Sequence, residues 1–259
     1  MKKRKCIFVY YSSLNAKKRT VKHSLAGVLI LVFFLLVNAS SETEAKDGAA
    51  LFRETLVRMR SVFDKMTDYC CHLDAYSAKG AAKLRVKYMY YFKKPGYIRM
   101  ETQTGKFAGA TALYKMDGKV RVKFETGLLS PFTFIFKPDS IYVVDLNKRG
   151  LPGSDFGSFI ELNLRFLGSV KKITAREATV NGQDLFIFEI YSLDPGKTYG
   201  ADRELIRVDR RTFLLSGFIL YDSSGIVIQS GDYKNISLNN GLADSFFDDF
   251  SMKFPLEGE

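Results

Sequence analysis

Between Lys83 and Lys93 the chain reads KLRVKYMYYFK, and its side chains alternate without a slip. Leu84, Val86, Tyr88, Tyr90 and Phe92 fall on one face; Arg85, Lys87, Met89, Tyr91 and Lys93 fall on the other. Period-two alternation rich in aromatic and β-branched residues specifies a strand with one buried face. Pro95-Gly96 interrupts it, and a second short strand begins at Tyr97. A face carrying three aromatic and two aliphatic side chains needs a cover, and what covers it is the functional question.

The N-terminal region obeys a different logic. Met1–His23 holds eight Lys/Arg and no acid, and Leu25–Val37 is a thirteen-residue apolar run ending in Val37-Asn38-Ala39. A basic segment, a short apolar core and a small-residue end describe a secretory signal. The run is short for a transmembrane helix, which needs about 20 residues; an uncleaved N-terminal anchor is the competing reading. The expected organisation is therefore a leader at 1–39, a short linker at 40–48 and one domain at 49–259. The net charge of +11 falls to +3 once the eight leader positives are removed, which argues against a nucleic-acid partner. Cys70 and Cys71 remain. Neighbours on a strand point to opposite faces, so two buried thiols are expected rather than a vicinal bond, a metal site or an intermolecular bridge.

Downstream, Phe52, Leu56, Met59, Phe63 and Met66 form one apolar stripe, predicting a helix over Ala49–Met66 with Asp47 as its cap. A strand is expected from Asp68 to Tyr76. The segment ATALYKMDGKVRVKF reads as a hairpin around a three-residue loop, Asp117-Gly118-Lys119, with Tyr114 opposite Val122. Phe132–Phe136 and Ser140–Asp145 read as short strands. Phe156, Phe159, Ile160, Asn163, Leu164 and Leu167 predict a second helix over Ser154–Leu167, capped by Ser154 or Asp155 and ended at Gly168. Strands follow to the end, with Asn181-Gly182 as a hairpin turn, and the phenylalanine-rich tail Phe246–Phe254 is expected to dock on the sheet. Helix, strands, helix, strands implies a mainly β (α+β) fold. The expected form is a strongly curved antiparallel sheet, an incomplete barrel with both helices over its concave face.

Chemical signatures are sparse. The two histidines are His23, in the leader, and His72, between a cysteine and an apolar strand residue. No GxSxG, P-loop, HExxH or helix-opening GxGxxG occurs. Asp244, Asp248 and Asp249 sit among phenylalanines and read as solvent-facing. No catalytic residue, metal site or cofactor is expected, and the chain reads as a non-enzyme.

Four stretches carry a resemblance over nearly all of residues 49–254. They are the helix-to-strand opening Leu51–Tyr76, the unit YYFKKPGYIRMET, the hairpin ALYKMDGKVRVKF and the close from Gly217 through FFDDFSMKFP. The chain resembles the periplasmic carriers that sort lipoproteins to the outer membrane of Gram-negative bacteria. Its DYCC and GLLSPF segments look closer to uncharacterised relatives. The resemblance implies an eleven-stranded incomplete barrel with a lipid-accommodating cavity, working as a periplasmic monomer between an inner-membrane donor transporter and an outer-membrane acceptor. A sensor of lipids or lipoproteins that acts through a membrane partner is the alternative. In the family's best-known carrier a basic residue just before the hairpin proline helps control closure of the lid, which makes Lys94 the implied latch. Lysine is a point charge rather than a planar fork, and the chain has no Trp; both depart from the family pattern. The expected lining is Leu84, Val86, Tyr88, Tyr90, Phe92, Val120, Val122 and Phe124 from the first sheet half, with Phe186, Phe188 and Ile190 from the second. Phe156, Phe159 and Ile160 come from the second helix. The same residues could instead interlock as a dry core.

Overall fold

The computed structural model describes residues 47–192, 194 and 200–254; the expected leader lies outside them. Helix α1 spans Gly48–Lys65, and Asp47 accepts a hydrogen bond from the Ala49 amide, as its position predicts. Six strands follow: β1 (Asp68–Lys79), β2 (Ala82–Lys93), β3 (Tyr97–Thr104), β4 (Ala110–Tyr114), β5 (Val120–Phe124) and β6 (Thr133–Phe136). After a long connection comes α2 (Phe156–Phe166), then β7 (Val170–Val180), β8 (Gln183–Ser192), β9 (Arg203–Asp209), β10 (Leu215–Tyr221) and β11 (Val227–Leu238). No helix among the described residues is long and apolar enough to cross a membrane.

The eleven strands form one antiparallel sheet in the order β6-β5-β4-β3-β2-β1-β11-β10-β9-β8-β7. Two meanders meet where β1 pairs with β11, and β6 and β7 are left as unjoined edges. The sheet is an incomplete barrel. The connection from β6 to β7 carries the chain from one edge to the other, and α2 rides in that crossing.

α2 seats on the inner face beside α1. Its Phe156 ring stacks on Tyr69 of β1 at 4.4 Å, the Phe156 amide donates to the Tyr69 hydroxyl, and Arg60 of α1 pairs with Glu161. Gly157 makes the helix–helix approach possible: a Cβ there would stand 2.5 Å from the Phe63 ring. The outer face has its own cover. The tail packs Leu242, Phe246 and Phe247 on Cys70, Met89 and Tyr91. It is clamped by Arg99, which is fully buried and donates to the carbonyls of Phe246, Asp249 and Met252 at 2.8–2.9 Å. Five N–H donors on a rigid fork suit one side chain to several carbonyls. Cys70 lies under the tail and Cys71 in the inner core, both as free thiols.

Four expectations need correction. The β4–β5 loop is five residues, 115–119, because Tyr114 pairs with Val120 rather than Val122. A shift of two residues keeps each side chain on its face. Ser140–Asp145 forms turns, not a strand, and Asp145 there accepts the amides of Asn147 and Arg149. Gly168 does not end α2 in a left-handed conformation; the helix tightens into a 3-10 turn over Leu167–Ser169. Met89 and Tyr91, placed on the outer face with the lysines, are buried under the tail.

A candidate ligand cavity

The inner face is covered in two ways. Toward the C-terminal end of β2, aromatic rings and both helices fill the space. Toward its N-terminal end the sheet curves away from α2 and encloses a cavity of about 810 Å³, within the range of about 300–1,000 Å³ usual for small-molecule sites. Leu84, Val86 and Tyr88 of β2 line it, with Val122 and Phe124 of β5, Phe159 of α2 and Ile190 of β8. All seven were expected there.

The other seven expected residues lie outside the lining. Tyr90 and Phe92 stack against Tyr69 at 5.9 and 5.2 Å, and the Tyr90 hydroxyl bonds Ser154 Oγ at 3.0 Å. Phe156 completes that stack, Phe188 packs on Phe52 of α1 at 4.8 Å, and Ile160 turns toward Met59 and Phe63 of the same helix. Val120 is fully buried in the core. Phe186 packs near Phe213, with the Arg210 guanidinium 5.3 Å from its ring. Lys94 holds α1: its ammonium donates to the carbonyls of Phe63 and Asp64 at 2.7 and 2.9 Å. It lies 4.8 Å from the Phe63 ring centroid. That ring in turn abuts Gly157 of α2.

Part of the cavity lining is an exposed rim. Phe107, Leu129 and Tyr142 line the cavity and yet are 45%, 48% and 72% exposed. Leu128, Phe132, Ile135 and Ile141, close by in the chain, are exposed too. Such a concentration of exposed large apolar groups is unusual on a protein surface unless something binds there.

One part of the lining forms a polar pole. Glu204 points inward from β9, on the same face as the buried Ile206 and Val208. Burial pushes its carboxyl up to about 7, opposed by the positive charge of Arg149. Gln229 of β11 is 91% buried by the complement of its 9% exposure. Its Nε2 donates to Asp145 Oδ2 at 2.9 Å, while its Oε1 has no partner among the described residues. Asn147 ties the same loop to β11 through the Ile228 carbonyl. Tyr88 completes the pole; desolvation and the Asp145 charge raise its hydroxyl to about 12. Glu204 and Gln229 were not anticipated. The signal was present: in ELIRVD and VIQSGDY they occupy inward positions of otherwise apolar alternations. No group of His, Cys, Asp and Glu among the described residues is arranged to hold a metal ion.

No family model matches the chain, and no characterised protein matches it by sequence. Solved structures of similar outline exist. A DUF1329 family protein from Desulfovibrio piger is 17% identical, with 78% of this chain and 98% of that one covered, at a TM-score of 0.43. MucB is 12% identical at a TM-score of 0.48; the match covers 80% of this chain and 65% of MucB. A LolA superfamily protein from Nitrosomonas europaea is 12% identical over 75% of this chain and 96% of that one, at 0.35.

Proposed function

We propose that this protein is a carrier that takes the acyl chains of a lipoprotein or another lipid into its cavity and shields them from water during transfer. The observation behind this reading is the apolar volume of about 810 Å³ between the curved sheet and α2, with a rim of exposed apolar side chains. Each CH₂ moved from water into such a lining contributes roughly 0.8 kcal/mol. Ten of them give roughly 8 kcal/mol, the scale of a micromolar complex before the costs of association. That is enough to hold a chain and small enough to release it. No bond is made or broken, so the cycle needs no catalytic group. On this reading the leader at 1–39 exports a periplasmic monomer, an inner-membrane transporter loads it, and an outer-membrane acceptor unloads it.

Release requires the cavity to shrink or open. α2 is fastened on one face, to Tyr69 through Phe156 and to α1 through Ile160 and Glu161, whereas Phe159, Leu162 and Phe166 on the other face line the cavity. A shift of α2 relative to the sheet changes the buried area. Native mass spectrometry of the protein purified from its own host without detergent tests the proposal. A co-purifying acyl lipid or lipoprotein is expected, and Phe124→Asp or Phe159→Asp should lose it while keeping the circular dichroism of the parent. An empty protein that also fails to bind the neutral probe N-phenyl-1-naphthylamine would sink the carrier reading.

A further inference from the structure

We infer that the polar pole of the cavity binds the uncharged, hydrogen-bond-donating head of an acylated ligand, a hydroxyl or an amide N–H, while the chain lies toward the rim. This rests on the carrier reading and specifies its ligand. Three observations point to it. The first is the orphan acceptor. Gln229 Oε1 is buried without a partner, and an unmade hydrogen bond at a buried carbonyl is unfavourable. The side chain is held in place from behind, because its amide nitrogen is engaged by Asp145, so a donor arriving from the cavity meets a positioned oxygen.

The second is the charge balance. Asp145, Glu204 and Arg149 line the inner part of this cavity, whereas Lys148 is exposed. A ligand carrying its own carboxylate or phosphate would meet two acids, Asp145 and Glu204, beside Arg149, at a desolvation cost with little counter-charge to offset it. The third is the fold. Gln229 and Glu204 sit on β11 and β9, either side of β10, and the loop bearing Arg149 is tied to β11 by Asn147. The pole is therefore built on sheet strands and on a loop fastened to them, which keeps its geometry fixed while α2 moves.

Displacement of N-phenyl-1-naphthylamine from the full-length mature protein tests this with four competitors that share a sixteen-carbon acyl chain. 1-Monopalmitoylglycerol supplies hydroxyls, palmitamide supplies N–H, methyl palmitate only accepts, and palmitate is charged. The hydroxyl or the amide ligand should displace the probe at about tenfold lower concentration than methyl palmitate, the size of one net hydrogen bond. Whichever of the two competes better identifies the head. Gln229→Met, which keeps the volume and removes the acceptor, should abolish the preference and leave methyl palmitate unchanged. If that variant does not fold, Glu204→Met gives the second reading, with the same loss of preference expected. Equal competition by all four, strongest competition by palmitate, or a preference that survives Gln229→Met (or Glu204→Met where the first does not fold) overturns the head-group assignment while the carrier reading stands. Failure of the parent to bind the probe at all overturns both.

Discussion

The two halves of β2 share one alternation and meet opposite fates. Tyr90 and Phe92 are buried to 1% exposure, in a stack with Tyr69 and Phe156. Leu84, Val86 and Tyr88, two to eight residues away on the same face, line an open volume. The strand does not differ; the cover does. At the C-terminal half α1 and the first turn of α2 approach closely enough for Gly157 to be required. At the N-terminal half the cover is the end of α2 and a loop carrying Asp145 and Arg149. Alternation fixes which side chains leave water for the inner face, but the packing partner decides whether they become core or lining.

The largest test of that contrast is truncation. Phe92→Ala removes a ring that touches Tyr69 and Phe63, and about 3–5 kcal/mol of stability should go with it. Phe124→Ala removes a ring that already borders empty space, so less than about 1.5 kcal/mol is expected, because few packed atoms lose a neighbour. Urea unfolding with a common m-value checks both. Comparable costs would mean that the cavity half is packed in solution. On the outer face, Arg99→Leu should cost about 3 kcal/mol, by leaving the tail carbonyls without donors. It should also expose the tail to limited proteolysis at low urea.

Most of the sheet was legible because period-two patterns and turn residues report locally. Asn181-Gly182 does so directly: both residues take positive φ and close β7 on β8 with Val180 opposite Gln183. Both helices were legible from their stripes. Half of the residues expected in the lining lie elsewhere, since no local signal in β2 or β8 encodes how near a helix will come. Ser140–Asp145 misled for a related reason. Its apolar content suits a strand, but Asp145 spends its carboxylate on the loop's own amides and on Gln229. Arg99 carries no local sign of its burial, because the carbonyls it serves lie about 150 residues further along the chain.

The halves should also separate by pH. In the packed half, burial raises Tyr69 and Tyr90 well above the ordinary tyrosine range, so both stay neutral at every pH of interest. In the cavity half, Glu204 moves from 4.5 to about 7. The folded state then holds its proton more tightly than the unfolded state. Its stabilising contribution is complete below about pH 4.5 and is lost as the pH rises through about 7. Glu204→Gln carries no charge at any pH. It should match the parent near pH 4 and exceed it at pH 8, by at most about 3 kcal/mol. Unfolding curves at the two pH values decide it, and a constant difference across the range would show that Glu204 stays solvated.

The smallest expected effect discriminates most between the halves. Lys94 caps α1 by donating to two of its last carbonyls, where a positive charge also meets the negative end of the helix dipole. Lys94→Met keeps the apolar stem and removes the ammonium, so about 1 kcal/mol should be lost. If Lys94 serves only the packed half, the dissociation rate of N-phenyl-1-naphthylamine in stopped-flow measurements will not change. If it acts as a lid latch, the route is visible: Lys94 positions Phe63, Phe63 abuts Gly157, and Gly157 sits in the first turn of α2. The rate should then rise several-fold for a stability loss too small to unfold the protein, and Gly157→Ala, which presses a methyl group on the same ring, should shift it as well.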